Sequence, residues 1–420
     1  MIRIIKKYNC CGCEACVQIC PKHCISFNED EEGFRYPLVN EIACINCGLC
    51  EKSCPVLNHH EKYRPLYLYA AKNNDESIRM SSSSGGVFSL LAEDCIRRNG
   101  VVFGARFNVN WEVEHGYTET IEGIAEFRTS KYVQSRIGHS FIDARDFLRQ
   151  GRPVLFSGTS CQIAALRLFL NKAYDNLLTV DIICHGVPSP GVWRRYMDMM
   201  KRNALMDENS LSSPFTRNFS RRENLDERIR ITNISFRDKR FGWNKYSFSL
   251  TLAKTASEGK QNTVSLSHIH KDDLYMKSFL SNINLRPSCY KCPAKGGKSS
   301  SDITLADFWG INKLLPDFDD DKGVSLVIIN SKQGCDAYNK LKLISNEVSE
   351  KTSLLYNPSF YGSVSTHPNR DLFFRQVFHD NVDMEKLMIS VSQVTFLQKI
   401  IKKIKKLKNR LYRKLRLLMG

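Results

Sequence analysis

Two closely spaced runs of cysteine near the amino end restrict this chain more than any other feature. Cys10-x-x-Cys13-x-x-Cys16-x-x-x-Cys20-Pro21 recurs, offset by 34 residues, as Cys44-x-x-Cys47-x-x-Cys50-x-x-x-Cys54-Pro55. A cubane cluster needs four thiolates around a compact body. Three cysteines two residues apart wrap one loop around three irons, and the fourth, just ahead of proline, serves the other cluster of the pair. The spacing therefore assigns Cys10, Cys13, Cys16 and Cys54 to one 4Fe–4S cluster, and Cys44, Cys47, Cys50 and Cys20 to a second. Zinc knuckles use two cysteine pairs with a longer spacer between them, which does not match four cysteines packed into 11 residues twice over. Cys11 and Cys24 fall outside the pattern and read as spare thiols. Residues 1–60 thus read as a dicluster ferredoxin domain, a short electron wire that feeds the rest of the chain.

That remainder is long enough for one or two further domains in a chain of 420 residues, and 42% hydrophobic content supports a real core. Ten of the 16 cysteines lie before residue 55, two form Cys289-x-x-Cys292 and four are scattered, and no export signal or apolar run of membrane-spanning length is present, so metal rather than disulfide chemistry and a cytoplasmic setting are expected. Of the net charge of +17, ten positive charges fall between Lys399 and Arg416 without one acid. The rest of the chain is only mildly basic, which argues against nucleic acid as a partner.

Polar residues from His59 to Pro65 read as a linker. From Leu66 strands and helices alternate, so an α+β or α/β fold is expected, divided here into residues 66–150 and 151–345. A small-residue loop, Ser81–Gly86, leads into a helix over Val87–Arg98 and a strand over Val101–Gly104. The strand Val154–Phe156, a turn at Ser157–Ser160, a helix over Cys161–Leu170 and a strand over Leu177–Ile183 form a strand–helix–strand unit, hence a parallel pair. Residues 205–230 read as a polar surface insertion and 231–310 as β-rich. No element is assigned to 346–395. Residues 396–420 form a basic amphipathic helix pattern that suits an anionic membrane surface, an acidic partner, or a solvated terminus.

Cys161 and Cys184 each follow a strand of the parallel pair, at the sheet edge where such folds bind ligands. Cys289-x-x-Cys292 adds two thiols. Spacing alone leaves two readings open: a third cluster, or buried structural thiols.

Several further stretches are specific as a set: Ser82-Ser83-Ser84-Gly85-Gly86-Val87, Ser130-Lys131-Tyr132-Val133-Gln134-Ser135, Phe156-Ser157-Gly158-Thr159-Ser160-Cys161-Gln162, Ile183-Cys184-His185-Gly186-Val187-Pro188, Arg286-Pro287-Ser288-Cys289-Tyr290-Lys291-Cys292, and Asp302 to Gly310. Through them the chain resembles the coenzyme F-420 hydrogenase/dehydrogenase beta-subunit family, in the version with a fused N-terminal dicluster 4Fe–4S ferredoxin domain. Ser160 departs from it, since the family more often has proline there. The resemblance implies a mixed α/β flavin-binding domain that holds FAD and a third cluster on Cys161, Cys184, Cys289 and Cys292. It implies an oxidoreductase that exchanges electrons between clusters and a two-electron carrier or small organic substrate, coenzyme F-420 or an analogue. It carries Ser83, Ser84, Gly85, Gly86, Ser130, Lys131, Tyr132, Gln134, Gly158, Thr159, Asp307, Trp309 and Gly310 into cofactor binding, and Lys131 into catalysis; His185, beside Cys184, reads either as a catalytic group donating a hydrogen bond to a cluster sulfur or as a satisfied structural histidine. Two rival readings remain at this level: a non-catalytic electron-transfer subunit that docks on another redox protein, and a reductase serving cell-envelope polysaccharide synthesis.

Overall fold

The computed structural model describes every residue except His60, 210–228, 256–260 and 393–420. The expected tail helix at 396–420 and most of the 205–230 insertion lie outside the described residues.

Near the amino end, β1 (Ile25–Glu29) and β2 (Arg35–Val39) form an antiparallel hairpin beside two one-turn helices, Ala15–Gln18 and Leu49–Lys52. The apolar strands that follow build one eight-stranded sheet. They are β3 (Tyr67–Asn73), β4 (Val101–Phe107), β5 (Val113–Thr118), β6 (Val154–Thr159) and β7 (Leu177–Ile182), joined later by β11 (Ile303–Asp307), β12 (Ser325–Ile329) and β13 (Leu343–Glu347). Its order is β13-β3-β12-β11-β7-β6-β4-β5. Only the centre is parallel, β4 to β6 to β7 to β11, with antiparallel flanks on both sides.

The parallel centre reads as continuous apolar runs because helices cover both of its faces. Phe103, Val154, Phe156 and Leu177 point to one side, against Phe141 and Leu148 of helix Ser140–Arg149 and Ile163 and Leu166 of helix Ser160–Leu170. Val102, Leu155, Leu178 and Val180 point to the other, against Val87, Leu91 and Cys95 of helix Val87–Arg97. Cys11, Cys13 and Ala15 of the first cysteine loop join the first of these cores, so the amino-terminal lobe docks on the sheet domain.

The strands β8 (Ile229–Asp238), β9 (Ser247–Thr255) and β10 (Gln261–Ile269) form a separate antiparallel sheet. It packs with helices Pro190–Asn209, Arg370–Val377 and Met384–Ser392 in one aromatic-rich cluster that includes Trp193, Phe236, Phe248 and Phe373. The region that carried no expected element thus includes two helices of that core. One local expectation shifts: Ser157–Thr159 belong to β6 rather than to a turn. They pair with Val180–Ile182, and Ser157 Oγ donates to Phe103 O at 2.9 Å, so the ladder continues to the helix start.

Candidate functional site

The parallel register sets Thr159 beside Ile182 and Leu305 beside Ile182 on the other side. The carboxyl ends of β6, β7 and β11 therefore reach one edge. Cys161 stands two residues past Thr159, the cap of the helix that follows β6. Thr159 and Gln162 form a reciprocal capping box there, and Thr159 Oγ1 lies 3.3 Å from Cys161 Sγ. Cys184 follows β7. An isolated bridge between Pro188 and Leu285, with Arg286 N–H donating to Val187 O at 3.0 Å, brings in the Cys289 loop. Val187 N–H then donates to Cys289 Sγ at 3.4 Å. A Cβ on Gly186 would stand 2.7 Å from Leu285 Cδ1 and 3.4 Å from Cys289 Cβ, so the two loops meet closely at this glycine. Cys161, Cys184, Cys289 and Cys292 thereby share one electrostatic neighbourhood. Burial pushes the Cys184 thiol up to about 12 and the Cys292 thiol up to about 11. Iron binding there must displace protons.

The first two sets also assemble across the repeat. Cys54 neighbours Cys10 and Cys16, while Cys20, Cys24, Cys44, Cys47 and Cys50 line one small pocket. Among the described residues, no three His, Cys, Asp or Glu side chains converge on a single-ion position. Cys11 and Cys24, spare thiols by spacing, both have thiol neighbours in the structure. Cys24 Sγ lies 3.4 Å from Cys20 Sγ, and the buried Cys11 thiol neighbours both Cys13 and Cys161 in one packed cluster. Cys11 therefore bridges the first set and the third.

The joint between lobe and sheet is built around Arg286, which is fully buried. Its Nε donates to Cys10 O at 2.8 Å, Nη2 to Arg35 O at 3.0 Å and to Cys10 Sγ at 3.5 Å, and Nη1 to Gln134 Oε1 at 3.0 Å. Gln134 Nε2 donates in turn to Cys11 O at 3.2 Å. Gly12, at φ +70°, permits this approach, since a Cβ there would lie 2.8 Å from Arg286 Nη1. Gln134, expected at a cofactor, instead serves this joint and does not line the neighbouring cavity.

That cavity, of about 410 Å³, opens at the sheet edge between the serine loop, the Arg128–Val133 segment, the ends of β6, β7 and β11, and Phe279. Ser83, Ser84, Gly86, Ser130, Lys131, Tyr132, Gly158, Thr159, His185, Asp307 and Trp309 all line it, as does Cys184. Gly85 and Gly310 do not. Gly85 sits behind the loop and donates its N–H to Ser325 Oγ at 3.0 Å, while Gly310 packs on the Tyr356 ring. Lys131 lines the cavity, but its ammonium donates to Glu126 O and Arg128 O at 2.8 Å and to Thr129 O at 3.3 Å, which occupies all three of its protons. Burial pushes it down to about 7. His185 donates Nε2–H to Asn282 Oδ1 at 2.6 Å and stands edge-on to Phe279, and burial lowers its pKa.

Sequence reasoning missed three groups here. Arg237 is buried and donates to Asp307 Oδ1 at 2.9 Å and Ser83 O at 3.1 Å, with its guanidinium 3.9 Å from the Tyr246 ring centre. Lys239 donates to Ser84 O and Arg79 O at 2.8 Å and to Lys322 O at 2.7 Å, so the serine loop is held through its carbonyls. His115 lies on Phe156 and donates Nε2–H to Ser157 O at 3.1 Å. The only sequence signal for Arg237 and Lys239 was their place in a β-like stretch. His115 carried none.

Arg237 Nε and His115 Nδ1 are buried in this cavity wall without a protein partner. One is a donor; the other, with its proton on Nε2, is an acceptor. A bound group that offers an acceptor to the first and a donor to the second would satisfy both, and the rings of Tyr132 and Trp309 line the same cavity. Burial pushes the His115 imidazole down to about 4 from an ordinary 6.5. The unfolded chain then binds more protons between these values, so stability rises with pH through that window and is lost on acidification. The loss should approach about 3 kcal/mol near pH 4. Urea midpoints of parent and His115→Gln, measured from pH 7 to 4.5, should converge as pH falls. Their difference cancels the acid lability of any cluster.

Residues 151–351 match the family model for the C terminus of the coenzyme F-420 hydrogenase/dehydrogenase beta subunit, and residues 9–58 and 43–99 match models of a 4Fe–4S dicluster domain. A 7Fe ferredoxin from Hydrogenibacillus schlegelii is 38% identical over 64 residues, which is 14% of this chain and 76% of that protein. A chain of the F-420-reducing NiFe hydrogenase complex from Methanosarcina barkeri aligns over 81% of this chain and 92% of its own length at 15% identity, with a TM-score of 0.40, a likeness too slight to carry a functional argument.

Proposed function

Since this chain belongs to the coenzyme F-420 hydrogenase/dehydrogenase beta-subunit family and carries a 4Fe–4S dicluster domain at its amino end, we propose that it is an FAD- and iron–sulfur-dependent oxidoreductase. It would exchange electrons between a two-electron carrier or small organic substrate, of the coenzyme F-420 type, and three cubane clusters. One observation carries this reading: Cys184 lines the cavity and also belongs to the third thiol set, and Cys11 joins that set to the first dicluster loop. FAD, when bound, supplies the conversion between paired and single electrons.

The residues have separable tasks in this proposal. The amino end of helix Val87–Arg97, behind Ser83, Ser84 and Gly86, favours a phosphate. Arg237 Nε and His115 Nδ1 offer the donor and acceptor for the ring edge. Tyr132, stacked on Phe279 at 4.6 Å, and Trp309, stacked on Trp243 at 5.1 Å, exclude water from its faces. His185, beside Cys184, gives Nε2–H to Asn282, which leaves Nδ1 free to accept a proton. Lys131 and Lys239 shape the two loops rather than contact the ring.

The test is anaerobic purification with iron, sulfide and flavin measured on one sample. The expected result is about twelve irons and one FAD per chain, at four irons per cubane. About eight irons and no flavin would overturn the enzyme reading and leave an electron-transfer subunit. Among the described residues no helix is long and apolar enough to cross a membrane. Contact with a membrane through the basic tail remains a proposal from its sequence alone, and binding of the full chain to anionic vesicles would test it.

A further inference from the structure

A second cavity, of about 590 Å³, lies outside the flavin-sized one. Lys62, Lys291, Lys295 and Lys298 line it, and no carboxylate does. Its wall includes Cys292 of the third set, Tyr8 and Asn9 just ahead of Cys10, and Val56 just after Cys54-Pro55. This basic cleft therefore opens at Cys292 of the third set, beside the segments that flank the buried Cys10 and Cys54 of the first. The third set is walled by two different cavities, through Cys184 on one and Cys292 on the other.

Counter-charge for the clusters does not explain the lysines well. Lys62, Lys291 and Lys298 are exposed, and solvent screens exposed charges strongly. Lys291 lies over the Tyr8 ring at 4.8 Å, and Lys295 is tied to Cys184 O and, at 2.6 Å, to Ser359 O. What exposed like charges do well is steer an oppositely charged body over a distance. A small anion would be held here only by screened charge, with no buried polar group to orient it. A protein presents many carboxylates over a wide face. Beside a cubane, rather than beside the cavity for the two-electron step, the matching cargo is a single electron.

We propose that this lysine cleft is a docking port for an acidic one-electron carrier protein, which exchanges one electron directly with the cluster held in part by Cys292. One electron leaves the reduced carrier and one arrives on that cluster; no bond is made or broken, and the reverse transfer uses the same contact. The inference rests on the third cluster of the proposed function.

The test uses the full, cluster-loaded chain and a photoreduced acidic plant-type 2Fe–2S ferredoxin, whose spectrum differs from that of cubanes, in stopped-flow at several ionic strengths. The parent rate should fall as salt rises. Lys291→Glu/Lys298→Glu should lower the low-salt rate at least tenfold and abolish or invert the salt dependence, while photoreduction by neutral 5-deazariboflavin stays unchanged. A variant rate within twofold of the parent, in protein holding about twelve irons, would overturn the port and leave the cluster reading intact. So would a loss produced by Lys402→Glu/Lys406→Glu in the tail and not by the cleft variant. Parent protein with about eight irons would instead overturn the reading on which the port depends.

Discussion

Arg286→Met should cost the cluster-loaded protein about 3–5 kcal/mol and free the amino-terminal lobe, the range seen when one member of a buried charged pair is removed. The wild-type guanidinium is fully buried, yet its hydrogen-bond acceptors are Cys10 O, Arg35 O, Gln134 Oε1 and the Cys10 sulfur, with no carboxylate among them. The neighbours that favour its charge are mainly thiols: Cys10, Cys11 and Cys289. In the loaded protein a thiolate-ligated cluster supplies its counter-charge. Methionine would strand that anion and leave three buried acceptors open. In the cluster-free chain the same change also removes an unbalanced cation, so the cost should be smaller. Denaturation midpoints of loaded and cluster-free protein, with limited proteolysis between residues 59 and 65, check both parts. Equal losses in the two forms would mean that Arg286 acts through hydrogen bonds alone. No loss in either would assign the joint to Cys11, Cys13 and Ala15 packing. Lysine should rescue poorly, because it cannot reproduce the planar fork.

Cys289→Ser should lower iron from about twelve to about eight per chain and leave the FAD content unchanged. Its thiol accepts the Val187 amide, and a serine hydroxyl can keep that contact while binding iron poorly. The expected signature is a flavin that still binds and can still be reduced chemically, but no longer passes electrons to the first two clusters. Iron and flavin assays, with spectra recorded during reduction, read it directly. Cys11→Ala is the matching control. Its thiol joins two sets without belonging to either cysteine pattern, so iron should stay at about twelve. Loss of four irons from Cys11→Ala would reassign that thiol as a ligand.

The cysteine spacing displayed the amino-terminal lobe almost completely, because cluster loops are written in local sequence. The parallel centre was nearly as legible: Val154–Phe156 is an unbroken apolar run and Leu177–Val180 is broken only by Thr179, the pattern expected of a doubly covered strand. The antiparallel flanks were not, since β3, β12 and β13 meet across more than 250 residues and nothing local fixes their partners. For the cavity, the resemblance supplied the loops that line it, while where each side chain turns is set only by folding. Gln134 turned to the cysteine loop, and Lys131 spent its protons on carbonyls. His115 and Arg237 were invisible because their meaning lies in burial without a partner, which exists only after folding.

The serine loop is held from behind. Arg237 grips the carbonyl of Ser83, Lys239 those of Ser84 and Arg79, and Ser84 Oγ reaches Val324 O at 2.7 Å. Its shape is therefore inherited from residues some 150 positions away and from main-chain atoms that every amino acid possesses. A loop specified in that way separates form from chemistry. The side chains facing the cavity can drift, and with them the choice of bound molecule, while the curve of the backbone is passed on intact. For anyone wishing to retarget this scaffold, Arg237 and Lys239 are the positions to leave alone, together with the loop-holding hydroxyls of Ser84 and of Ser83, which accepts the Ser130 N–H at 2.6 Å.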